Sequence, residues 1–90
     1  MYKLIITESC FKRAKKFFKK HPEILDQYEK VLRILCINPM HPSLRLHKLS
    51  GNLAGLLSVS INISYRLIIK FIIKDKQIIP VDIGSHDEVY

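Results

Sequence analysis

Ninety residues, 48% of them hydrophobic, provide for one packed domain over residues 1–90 and leave no room for a second core. Fifteen Lys and Arg against eight Asp and Glu give a formal charge of +7, a field that attracts nucleic acid first and an acidic protein second. This composition argues against disorder, and the two cysteines, Cys10 and Cys36, have no CxxC spacing and read as small core residues in a reducing compartment.

Tyr2 to Thr7 is rich in Ile and Leu and predicts a strand, too soon interrupted by charge to be a secretory segment. No apolar run approaches the roughly 18 residues that a membrane span requires, so a cytoplasmic protein without a membrane partner is expected. The Thr7 hydroxyl can cap a helix that begins at Glu8, whose carboxylate suits the positive end. Phe11, Ala14 and Phe18 recur at helical spacing with Phe17 beside them, and Lys12, Arg13, Lys15, Lys16, Lys19 and Lys20 make the rest strongly basic. Pro22 then suits the first position of a second helix, whose apolar stripe is Leu25, Tyr28, Leu32 and Leu35 with Val31 and Cys36 alongside. Asn38-Pro39 ends that helix, because proline offers no N–H and restricts the residue before it.

Beyond the prolines the period changes. Leu44, Leu46 and Leu49 alternate with Arg45, His47 and Lys48, which predicts a short basic strand before the loop Ser50-Gly51-Asn52. Leu57, Val59 and Ile61 alternate with Ser58, Ser60 and Asn62 as a half-buried strand does. Asn62-Ile63-Ser64 matches a glycosylation triplet by chance. Tyr65 to Ile73, a turn at Asp75-Lys76, and Gln77 to Ile83 form a hairpin. The fold class is therefore α+β in two layers: an N-terminal strand, a helical hairpin, and a mostly antiparallel sheet of about four further strands.

Of the four histidines, His21 and His41 precede prolines in connections, where solvated or capping roles are the default, leaving His47 and His86 as candidates. Their spacing matches no HExxH or Cys-His ligand set, so no metal or cofactor is expected. A basic, histidine-bearing domain does suit RNA cleavage without metal, in which a ribose 2′-oxygen attacks the adjacent phosphorus and the 5′-oxygen departs. Imidazoles can serve as base and acid, and a guanidinium can hold the phosphate oxygens as their charge grows. Arg66, set in the apolar run Tyr65-Arg66-Leu67-Ile68-Ile69, is the arginine in question; its alternative is a structural ion pair with Asp82 or Asp87. Tyr90 could pack or stack on a nucleobase.

Three segments carry a resemblance: His47-Lys48-Leu49-Ser50-Gly51-Asn52-Leu53-Ala54-Gly55-Leu56, Tyr65-Arg66-Leu67-Ile68-Ile69, and Asp82-Ile83-Gly84-Ser85-His86-Asp87-Glu88-Val89-Tyr90. With the order of elements, they resemble the RelE/ParE superfamily of type II toxin-antitoxin toxins, in its RelE and YafQ-like branch of mRNA interferases, over nearly the whole chain. The resemblance implies a RelE-like fold and a toxin, monomeric when free, that cleaves mRNA in the ribosomal A site and is neutralised by a cognate acidic antitoxin. By position, His86 and His47 look like the histidines of YafQ-like members and Arg66 like the strand arginine that holds the scissile phosphate. Tyr90 looks like the aromatic near the family's C-terminus. In this frame Lys12 to Lys20, Arg45 and Lys48 are expected to meet ribosomal RNA through its phosphates. The chain departs from the family pattern at Ser58, Ser60 and Asn62, where ribosome-dependent members often carry basic or acid/base groups, and at Leu56-Leu57, where an aromatic is usual. A ParE-like gyrase inhibitor and a toxin that retains only antitoxin binding are the alternatives; the paired candidates His47 and His86 favour the ribonuclease over the former.

Overall fold

A computed structural model describes residues 1–85. Strand β1 (Lys3–Leu4) leads into helix α1 (Glu8–Lys20), a 3-10 turn (Pro22–Ile24) and helix α2 (Leu25–Ile37). Two more 3-10 turns, Pro42–Leu44 and Gly51–Leu53, flank strand β2 (His47–Lys48), and strands β3 (Leu57–Ser60), β4 (Tyr65–Ile72) and β5 (Gln77–Ser85) follow. The sheet order is β1-β5-β4-β3-β2, with β1 parallel to β5 and every other pair antiparallel. The expected α+β class and order of elements are those observed.

Local chemistry explains most boundaries. Thr7 Oγ1 accepts from the Cys10 N–H at 3.1 Å, capping α1, and the chain leaves α2 at Asn38, before Pro39. The helix stripes differ by one residue from the expectation. In α1 the buried residues are Cys10 and Phe17, while Phe11 is 60% exposed. Before α2 it is Ile24 that turns inward, with Leu25 left at the surface. The 3-10 turn winds three residues per turn instead of 3.6, so the stripe arrives early at Ile24 and continues through Tyr28, Val31 and Leu35.

The basic strand is also shorter than its alternation suggests. Leu44 sits in a 3-10 turn and is fully buried, and Arg45 adopts a left-handed conformation (φ 48°) that breaks the extended chain. Only His47 and Lys48 pair with β3. Ser58, expected on a polar face, is fully buried, at a position paired with His47 of β2 and Ile68 of β4.

Leu35, Leu44, Val59, Leu67, Ile69 and Ile78 are completely buried between helices and sheet. Leu67→Ala removes buried methyl groups from the middle of β4, and a loss of about 2–5 kcal/mol is expected in a denaturant melt. Burial also pushes the Tyr28 hydroxyl up to about 12, with the neighbouring Cys10 adding to the shift. A tyrosine in the unfolded chain ionises near about 10, so the fold favours the neutral phenol. That contribution is complete below pH about 10 and is lost as pH rises through about 12, which a series of alkaline melts would read as falling stability that Tyr28→Phe removes.

Candidate functional site

Cross-strand partners share a face and neighbours along a strand alternate, so the register sorts the sheet into two surfaces. Val59, Leu67 and Ile83 face the helices and join the core. The opposite face carries one row formed by His47, Ser58, Ile68 and Asp82 and a second formed by Ser60, Arg66 and Gly84. Of the sequence candidates, this surface brings together His47 and Arg66. From strand spacing and rise their Cα atoms lie roughly 12 Å apart, too far for direct contact, and Ser58 and Ile68, which share this face, are buried.

Arg66 is the second residue of β4, followed by the apolar run Leu67-Ile68-Ile69, and has Gly84, which has no side chain, opposite it on β5. Its Nη1 is buried and has no hydrogen-bond partner among the described residues. The ion pair with Asp82 that the sequence left open does not form: the Asp82 carboxylate accepts from the Ile83 N–H at 2.8 Å and lies 3.9 Å from Arg13 Nη1. A buried guanidinium nitrogen without a partner is costly, and an incoming anion with two or more oxygens would relieve that cost. Ser60, its neighbour on β3, donates its hydroxyl to the Asn62 carbonyl at 2.9 Å.

His47 is exposed on the edge strand, with Nδ1 3.3 Å from the Arg45 carbonyl. His86 and Tyr90, and Asp87 as the other proposed partner of Arg66, lie outside the described residues.

The remaining histidines do structural work of different kinds. His41 Nδ1 accepts from the Ser43 N–H at 3.1 Å, the capping role expected of it. His21 caps the end of α1 through its backbone N–H to the Phe17 carbonyl and is half-buried: its ring packs 4.7 Å from Phe17 and 5.0 Å from Tyr65, and Nδ1 lies 3.3 Å from the Tyr65 hydroxyl and 3.7 Å from Glu23. Its four-residue spacing from Phe17 was the sequence signal for that packing. Both aromatic partners belong to the helix side of the sheet, away from Arg66.

The basic residues fall into separate places. Lys15, Lys16, Lys19 and Lys20 are exposed along α1, as are Arg45 and Lys48 near the β2 edge. Lys12 is paired with Glu8 at 3.2 Å, and Arg13 reaches the Val81 carbonyl at 3.3 Å. Lys70, the other charge in the apolar run that holds Arg66, is exposed and follows Arg66 by two alternations, which puts a second cation on the same face. Among the described residues no group of three His, Cys, Asp or Glu is placed to hold a metal ion. No helix among them is long and apolar enough to cross a membrane.

Comparison with known proteins agrees with this architecture. YafQ from E. coli strain BL21(DE3) superposes with a TM-score of 0.80 at 16% identity, covering 100% of this chain and 99% of that one. A metal-bound toxin from Helicobacter pylori gives 0.77 at 22% identity with both chains covered completely. The E. coli DinJ-YafQ complex gives 0.78 at 16% identity, over 100% of this chain and 99% of the other. Curated protein sequences give no significant match. At these identities the superpositions establish the fold, which is RelE-like, and the sequence itself supplies the assignment. Residues 3–90 match the family described as bacterial toxin of type II toxin-antitoxin system, YafQ, and the chain belongs to that family.

Proposed function

We propose that this toxin is a metal-independent endoribonuclease that cleaves mRNA in the ribosomal A site and so inhibits translation. The observation that carries the proposal is the buried Nη1 of Arg66, without a hydrogen-bond partner among the described residues, on the sheet face that also bears His47. In this reading Arg66 holds the scissile phosphate and stabilises the charge that builds on its oxygens. His47, in its neutral form, takes the proton of the ribose 2′-hydroxyl as the 2′-oxygen attacks phosphorus. His86, which follows Ser85 directly in the sequence, gives a proton to the 5′-oxygen as the P–O5′ bond breaks. The products are a 2′,3′-cyclic phosphate and a 5′-hydroxyl, and two imidazoles with one guanidinium supply every proton and charge the step needs. Tyr90 stacks on a base of the bound codon. The exposed lysines of α1, with Arg45 and Lys48, hold ribosomal RNA by its phosphates, which makes binding sensitive to salt and poor in sequence preference.

The partner that restrains the toxin is an acidic antitoxin. The charge of +7 supports this, as does the assembly of the E. coli YafQ with DinJ. The test is cleavage of mRNA on translating ribosomes by the purified chain. Cuts at fixed codon positions are expected, lost in His86→Ala; gyrase-linked DNA breaks with intact mRNA would sink the proposal in favour of a ParE-like activity.

A further inference from the structure

We infer that Arg13 is a positioning residue: it keeps the Asp82 carboxylate off Arg66, leaving that guanidinium open for phosphate. The inference rests on the reading of Arg66 given above. Asp82 pairs in register with Ile68, and Arg66 with Gly84, so Asp82 and Arg66 are diagonal neighbours on one face of the β4–β5 ladder. Such neighbours lie about 7–8 Å apart, within reach of a long side chain. A guanidinium with a buried Nη1 that has no partner among the described residues attracts a nearby carboxylate, yet the two do not pair in this structure.

What holds Asp82 elsewhere is a local irregularity in β5 together with a helix residue. The ladder slips between Ile68 and Ile69, whose partners are Asp82 and Pro80, so Val81 is the extra residue of a bulge. Strand β1 pairs only with Gln77 and Ile78, and α1 packs against β5. From α1, Arg13 Nη1 donates to the Val81 carbonyl at 3.3 Å and lies 3.9 Å from Asp82 Oδ2, while Asp82 Oδ1 takes the Ile83 N–H at 2.8 Å. A planar guanidinium can serve the bulge carbonyl and the carboxylate together, which an ammonium does less well. Both side chains are partly exposed, at 54% and 39%, so the pair contributes little to stability. Its consequence lies in where it leaves the negative charge.

The test uses the purified toxin and reads both mRNA cleavage on ribosomes and the guanidinium NMR resonance of Arg66. Arg13→Gln releases Asp82 Oδ2 to Arg66, so cleavage is expected to fall about tenfold through partial neutralisation beside the phosphate, with a shift of the Arg66 resonance. Asp82→Asn in the same chain should restore both, since the amide keeps its bond to the Ile83 N–H without the charge, and Asp82→Asn alone should cleave normally. Arg13→Lys, which keeps the charge, should lose less than Arg13→Gln. The inference is overturned if the R13Q/D82N chain cleaves as poorly as R13Q with the Arg66 resonance unmoved throughout, because Arg13 then acts by its own contact with RNA or by packing of α1. If no variant cleaves, yet the resonance shifts in R13Q and returns in R13Q/D82N, the positioning stands and the ribonuclease reading falls.

Discussion

Replacing Arg66 with methionine is expected to lower mRNA cleavage by a factor on the order of 10²–10³ while making the protein more stable. The two effects have one cause. The loss in rate follows because a donor aimed at developing phosphate charge in a water-poor site is worth far more than the same donor in water. The gain in stability follows because Arg66 Nη1 is buried with no partner among the described residues, and an unsatisfied buried polar group costs about 1–3 kcal/mol. Methionine keeps much of the side-chain volume within an apolar strand and removes that penalty. Denaturant melts beside a ribosome cleavage assay would read both quantities. A methionine variant that is both inactive and less stable would mean that Arg66 is a structural residue whose partner matters to the fold. Arg66→Lys keeps the charge without the planar fork and should fall between the two.

His86→Ala is expected to slow cleavage by about 10²–10⁴ and to leave antitoxin affinity unchanged, because proton transfer to the departing 5′-oxygen is needed only in the transition state. His47→Ala should also slow cleavage. If the two rings serve one concerted displacement, the double variant will lose less than the product of the single losses, since acid and base act as a unit. Growth arrest on expression provides a second measurement. Arrest that persists unaltered in His86→Ala, with mRNA intact, would rule out the histidine mechanism and favour a toxin that acts by binding.

Much of the architecture was legible because its signals are local. The Thr7 cap and the Asn38-Pro39 stop each act within a few residues of chain and each produced the boundary it predicts, whereas Pro22 opens a 3-10 turn with α2 beginning at Leu25, and the strand that begins at Leu57 ends at Ser60. The errors also have local explanations that a simple period misses. A 3-10 turn before α2 brought Ile24 inward in place of Leu25, and a left-handed Arg45 cut short the strand read from Leu44. His21 was expected to be solvated or capping because it precedes a proline; it does sit at the C-cap of α1, and the rings of Phe17 and Tyr65 also pack on it.

By itself, the sequence determined the fold class, the family and the residue types that the chemistry needs, because periodicity, capping and motif spacing are properties of neighbours along the chain. The tertiary structure decided which of those residues meet. Arg66 could have paired with Asp82 on sequence grounds; a bulge at Val81 and an arginine from α1 settle that it does not. Ser58 could have faced water; in the middle of the paired sheet it is fully buried. Both outcomes depend on the register of strands far apart in sequence, and a slip of one residue reverses the face of every side chain, so no local pattern could have specified them.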